Sequence, residues 1–286
     1  MYRVEKVLNH NVMIAVNEED MQEYLIMGKG IGFGKKVSER LDGLSDVQIY
    51  SLVKTGKEAQ KSFSAKGIDP LCLEAANMLL EEAEKRLGKV DKSAMIPLAD
   101  HIEFALKRMK EKGEISNPLT QDIKVLFHGE YKVAEGIRPF LQKEVGLEIG
   151  ESEVGYIALH VHSAITEEKV SSSLQIAKCV RECISMIEKE IGHQIPVVTL
   201  SYNRLMNHVR YMVLRCMQKE EIKISMNDYM ELRFEKSYRI AGYICKEMGE
   251  ILKQDLHENE IGYLAIHIQR CIEEIEEEKN HVELLQ

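Results

Sequence analysis

The 286-residue chain has no tryptophan and only five prolines, and aromatic residues make up 6% of it. It contains no run of 18 apolar residues, which excludes a helical membrane span. The amino terminus, MYRVEKVLNHNV, is charged at Arg3, Glu5 and Lys6 and lacks the apolar core of a secretory leader. The reading is a cytoplasmic chain without membrane insertion. There is no surplus of positive charge: 38 Lys and Arg against 47 Asp and Glu give a net charge of −9, which excludes a protein that simply blankets nucleic acid. Six cysteines are scattered, and only Cys179 and Cys183 are close, so they read as buried thiols rather than a disulfide or metal framework. No HExxH and no GxSxG motif occurs, so neither a zinc hydrolase nor a serine hydrolase is indicated.

What is present divides into a β-type head and a helical remainder. In residues 1–55, short runs at Tyr2–Leu8, Asn11–Val16, Tyr24–Met27 and Val47–Val53 alternate with polar turns and a glycine-rich segment, Gly28-Lys29-Gly30-Ile31-Gly32. They predict a small antiparallel β-domain. A unit this short, without disulfide or metal, has a marginal core, so self-association into a homodimer is expected. Residues 56–66 read as a linker. From residue 67 the spacing is helical, with Leu71, Ala75, Met78, Leu79 and Ala83 as the first apolar stripe. The triple serine at 171–173 predicts a break between helical domains spanning 67–170 and 174–286.

The helical part is duplicated. A shift of 107 residues lays 101–160 over 208–267 without a gap, with 15 of 60 positions identical. Roughly four would arise from ordinary composition. The densest match sets EVGYIALH at 153–160 over EIGYLAIH at 260–267. Each copy thus carries two histidines 59 residues apart, His101 with His160 and His208 with His267. These four are the candidate chemical groups. Buried structural histidines account for them less well than a shared chemistry does, since they persist where three-quarters of the neighbouring positions differ. A metal set is not indicated, and no nucleophilic Ser or Cys recurs in both copies. Phosphoryl acceptance remains, because a neutral imidazole nitrogen is nucleophilic near pH 7. Asp100, Arg108 and Arg215 are candidate responders to the added charge.

In the β-head, the amides of Asn9 and Asn11 suit base edges and ribose hydroxyls. The glycines from Gly28 onward allow close backbone approach, Phe33 offers a stacking face, and Lys6 and Lys29 offer phosphate contacts. Turn-forming or core roles account for the same residues equally well, so these residues by themselves leave RNA binding open.

Several segments together resemble the BglG/SacY/LicT transcriptional antiterminators: VLNHNV at 7–12, MGKGIGFGKK at 27–36, LADHI at 98–102, GYIALHVHSA at 155–164, RLMNHV at 204–209 and GYLAIHI at 262–268. The resemblance implies a multidomain chain, a small antiparallel β RNA-binding domain followed by two tandem all-α helical-bundle regulatory domains. It implies a dimer that binds an RNA hairpin through Asn9, Asn11, Gly28, Lys29, Phe33 and neighbouring Lys6. It implies phosphorylation of His101, His160, His208 and His267 by the sugar phosphotransferase system. The sugar-specific transporter's EIIB domain would act on the first regulatory domain to inhibit, and the phosphocarrier HPr on the second to activate. Such a protein is a regulator, with no cofactor and no metal, rather than an enzyme. A DNA-binding operon activator, or a non-catalytic phosphocarrier or scaffold with the same helical domains, is the competing reading. Asn207 stands where the first copy has Asp100, so any role of that carboxylate belongs to the first copy.

Overall fold

The computed structural model describes residues 1–41, 43–52, 67–111, 113, 115–166, 168–197 and 199–283. The linker expected at 56–66 lies outside them. The chain forms two compact units, residues 1–120 with 127–170, and residues 121–126 with 171–286.

The first unit begins with strands β1 (Tyr2–Val7), β2 (Val12–Asn17), β3 (Glu23–Met27), β4 (Arg40–Leu41) and β5 (Gln48–Ser51). They form one antiparallel sheet in the order β4-β1-β2-β3-β5. The three long runs and the last one were legible as strands; the two-residue edge strand β4 was too short for a periodic signal. Val4, Met13, Ala15, Ile26 and Leu41 close one face. On the other, Val12, Ile14 and Leu25 are fully buried, and helix α1 (Pro70–Leu87) packs on β2. Both faces of the central strand are therefore covered within one chain.

Asp69 starts α1 by accepting the Leu71 N–H at 2.9 Å, with Pro70 in the first helical position. Of the anticipated stripe, Ala75, Leu79 and Ala83 are buried, joined by Cys72, Leu73, Ala76 and Leu80; Leu71 and Met78 are only half-buried. The stripe is thus turned by about one residue toward Cys72 and Ala76. The unit continues through α2 (Met95–Lys110), α4 (His128–Ala134), α5 (Ile137–Val145) and α6 (Glu151–Thr166). Helix α3 (Thr120–Leu126) lies almost wholly in the second unit, where Asp122 stands 3.9 Å from Arg181 and Arg210 donates to the Leu126 carbonyl at 3.0 Å.

The second unit adds α7 (Val170–Ile191), α8 (Leu200–Gln218), α9 (Asn227–Arg233), α10 (Glu235–Leu252) and α11 (Asn259–Glu283). The serines at 171–173 lie in the first turn of α7, with Ser173 fully buried, and the two compact units divide between Val170 and Ser171. Small side chains serve there as helix-packing surface, which composition alone cannot distinguish from a turn. The 107-residue shift carries α2 onto α8, α3 onto α9, α4 and α5 onto α10, and α6 onto the start of α11. The single discrepancy has a local cause. Pro139 in α5 has no N–H and its ring would strike the Glu135 carbonyl, so the first copy breaks at 135–136, whereas Lys246 at the matched place lets α10 run through. All six cysteines are buried and free. Among the described residues, no helix is long and apolar enough to cross a membrane.

Candidate functional site: the paired histidines and the asparagine turn

Helix α2 presents His101 and helix α6 presents His160, with their ring centroids 4.7 Å apart and planes inclined by 35°. Helices α8 and α11 repeat this with His208 and His267, 4.6 Å apart and inclined by 27°. Residues 59 positions apart thus meet because two long helices of each copy pack against one another. Seven residues beyond each first histidine, two turns along the same face, stands an arginine. Arg108 donates to Glu153 through Nε at 3.1 Å and through Nη2 at 2.9 and 3.0 Å. Arg215 holds Glu260 at 2.7 and 2.8 Å. Both carboxylates are buried, at 6% and 3% side-chain exposure, which only a bidentate partner makes tolerable.

The same glutamates face the histidines: His101 Nε2 is 3.7 Å from Glu153 and His208 Nε2 is 4.0 Å from Glu260, beyond hydrogen-bond reach. Burial dominates the titration of all four rings. It holds His101 down to about 3, helped by His160 and Arg108, and His208 to about 3, helped by His267 and Arg215. His160 falls to about 4 by burial, and His267 to about 4 by burial with Arg270 and Arg204. All four are therefore neutral at pH 7, the form in which a ring nitrogen is nucleophilic. The first pair is not sealed off: His101 and His160 line an open cleft of about 290 Å³ with Pro97, Asp100, Phe104 and Arg108. Phe104 is 59% exposed there, and Tyr211, its match in the second copy, is 55% exposed.

Glu153 and Glu260 were missed as site residues, although both stand in the repeated octapeptide. Their signal was a charged residue identical in both copies at the edge of an apolar helix face. His162, which has no histidine counterpart, is instead a buried structural residue. Its Nδ1 lies 2.7 Å from Glu130, and its ring meets Phe127 tilted by 54°, with centroids 4.5 Å apart. In the second copy Ser237 donates to Gln269 at 2.7 Å in the same two positions.

In the β-domain, the turn between β1 and β2 carries Asn9 and Asn11. The Asn9 side-chain oxygen accepts the Asn11 N–H at 2.8 Å, and the Asn11 side-chain oxygen accepts the Gly30 N–H at 2.9 Å. Gly28 donates to the Asn11 carbonyl at 3.0 Å, and Gly32 to the His10 carbonyl at 2.9 Å. A Cβ on Gly32 would lie 2.2 Å from the Asn9 carbonyl oxygen, so only glycine permits this approach. The structure thus gathers Asn9, Asn11 and Gly28 into one knot of two loops. Lys29 is exposed on that loop. Phe33 is 71% exposed and meets His10 edge-to-face at 5.4 Å, so it is not a core residue. Lys6 is exposed near the end of β1, three residues before the knot. His10 was missed; its place between the two asparagines was the available signal.

Residues 2–59 match the CAT RNA binding domain family, and residues 77–164 and 181–271 each match the PRD domain family. The chain belongs to the antiterminator family built from these domains. It is 30% identical to the GlcA/glcB genes antiterminator of Staphylococcus carnosus (strain TM300), over 98% of this chain and 99% of that one. It is 26% identical to the transcription antiterminator LicT of Bacillus subtilis (strain 168), over 95% and 99% of the two chains. A solved structure, "Crystal structure of GlcT CAT-PRDI", is 32% identical and covers 58% of this chain and 98% of its own, with a TM-score of 0.48. The family assignment sets RNA above the DNA-binding and scaffold readings, and its PRD domains are regulated by the phosphotransferase system. The relatives are regulators.

Proposed function

We propose that the chain is a sugar-responsive, cytoplasmic antiterminator without catalytic activity of its own, which binds an RNA hairpin as a homodimer and is switched by phosphate on His101, His160, His208 and His267. Asn9, Asn11, Gly28, Lys29, Phe33 and Lys6 contact the hairpin. The observation that carries the regulatory half is the twice-built arrangement of two adjoining, neutral imidazoles backed by a buried Arg–Glu pair. A lone-pair-bearing ring nitrogen attacks the phosphorus of a donor's phosphoryl group. The new N–P bond forms as the donor's bond to phosphorus breaks, and the electron pair leaves with the donor.

The acceptor then carries about two negative charges within reach of Arg108 or Arg215 and close to Glu153 or Glu260. The phosphate competes for the guanidinium and repels the carboxylate, so the buried pair has to rearrange. This converts a covalent change into a new packing of α2 against α6, or of α8 against α11. The shape of the paired domains then shifts between dimer arrangements, one of which presents the two β-domains together. HPr is the donor to the second pair and the EIIB domain of a sugar transporter the donor to the first.

The test is mass spectrometry of the full chain after incubation with phosphoenolpyruvate, the first phosphotransferase enzyme and HPr. Phosphate mapping to His208 or His267, and lost in H208A/H267A, is the expected result. Transfer undiminished in the chain lacking all four histidines would overturn the assignment.

A further inference from the structure

The amide groups that the proposed function gives to RNA are already occupied. Asn9 Nδ2 donates to Glu74 Oε1 at 2.5 Å, and Asn11 Nδ2 donates to Glu74 Oε2 at 3.4 Å. Glu74 sits on α1, in the first helical domain, and both bonds lie within one compact unit. The contact is not isolated. Three residues further along α1, Asn77 accepts the Tyr50 hydroxyl of β5, and its own amide donates to Glu81 at 3.0 Å. Lys92, just past α1, donates to Gln48 of β5 at 2.7 Å. Positions 74, 77 and 81 share one helix face, which is laid along the β-domain.

We propose that the α1 face bearing Glu74, Asn77 and Glu81 is an interaction surface for the RNA-contact turn of the same chain, and that RNA competes with Glu74 for the amides of Asn9 and Asn11. This rests on the reading that those two asparagines touch RNA. The amide oxygens are tied inside the knot by the Asn11 and Gly30 N–H groups, so the side chains are oriented without help from α1. Glu74 accepts a hydrogen bond from each NH2 group, the donor that a base or ribose oxygen would use. It also sets a negative charge where the polyanion must approach. Phe33 and Lys29 stay exposed, so RNA can begin to engage before Glu74 leaves.

The test uses the full, unphosphorylated chain and one RNA probe, a hairpin enriched by that chain from a pool with randomised loops. Its affinity is measured for the parent, Glu74→Gln, Glu74→Ala and Asn9→Ala, with a thermal melt of each. Glu74 is half-buried on the surface of α1, so both substitutions should leave the fold in place. Glu74→Gln retains the shape and removes the charge, and Glu74→Ala removes both. The expected result is tighter binding by about tenfold in Glu74→Ala, with a smaller gain in Glu74→Gln and loss of binding in Asn9→Ala. Unchanged or weaker binding in Glu74→Ala, with Asn9→Ala still losing RNA, overturns the competition and leaves the RNA contacts standing. Undiminished binding in Asn9→Ala overturns the contact assignment, and the competition with it.

Discussion

His101 and His160 share their cleft with Asp100 and Pro97. The matched positions beside His208 and His267 are Asn207 and Arg204, and Ser163 of the first copy corresponds to Arg270 in the second. The second pair has therefore lost a carboxylate and gained two cations, while keeping ring spacing, ring neutrality and the buried Arg–Glu pair. The two copies separate what geometry demands from what can drift. A close pair of neutral imidazoles needs burial and a guanidinium whose charge is balanced until a phosphate arrives. The charge at the rim is under no such constraint, and there the copies have diverged.

The sharpest way to break that equivalence is to remove the arginines. Arg108→Ala leaves Glu153, and Arg215→Ala leaves Glu260, as a buried carboxylate without its bidentate partner. Each should cost about 3–5 kcal/mol of stability near neutral pH, read from urea midpoints. Near-zero cost in one copy and a full cost in the other would end the claim that the two pairs are the same device.

A second comparison is titration. The folded state holds His101 and His208 down to about 3 and His160 and His267 to about 4, whereas an unfolded histidine titrates near 6.5. The unfolded chain therefore binds more protons between those values. Both pairs should lower stability as pH falls from about 6.5 toward 4, and neither should affect it above about pH 7.5. Urea midpoints across this range should fall for the parent and fall less steeply for H208A/H267A. An unchanged slope would mean that the rings are not held neutral by the fold.

The buried pairs behind the sites allow a double-mutant cycle. Converting His162→Gln or Glu130→Ser alone disturbs a 2.7 Å contact and should cost about 1–3 kcal/mol. The double change installs the Ser–Gln pair of the second copy and should recover at least about 1 kcal/mol of the summed loss. Strict additivity would show that His162 and Glu130 are independent.

The doubled fold was legible because a gapless 107-residue shift can arise only if the same helices recur in the same order, and that same shift put the four histidines into pairs. Four strands were legible from alternation, and the Asn9–Asn11 turn from its residue types. Glu74 was not, since it reaches Asn9 across 65 positions of sequence and only docking of α1 on the sheet brings them together. The serines at 171–173 stand where the two compact units divide, but nothing in one sequence says that Ser173 is helical and buried there rather than in a turn. Glu153 and Glu260 stood in view within the repeat. Nothing local says that a glutamate beginning an apolar helix will be buried against an arginine in the last turn of another helix.

The smallest expected effect lies at the rim. Asp100 is partly exposed and Asn207 exposed, and the structure gives neither an ion pair among the described residues, so Asp100→Asn and Asn207→Asp should each change stability by less than about 0.5 kcal/mol. Their effect should appear in phosphate uptake instead. A carboxylate beside His101 repels an approaching phosphoryl group, and at a solvated surface such a charge amounts to about 0.2–1 kcal/mol, or a few-fold in rate. Asp100→Asn should therefore raise the initial rate of phosphate incorporation at the first pair by about two- to fivefold, and Asn207→Asp should lower it at the second by a similar factor. Raising the salt concentration should shrink both effects, because charges this exposed are screened. Opposite signs in the two copies are the decisive readout. If both substitutions slow uptake, Asp100 and Asn207 are holding their histidines by hydrogen bonding when the donor arrives, and the contrast between the pairs is one of positioning rather than charge.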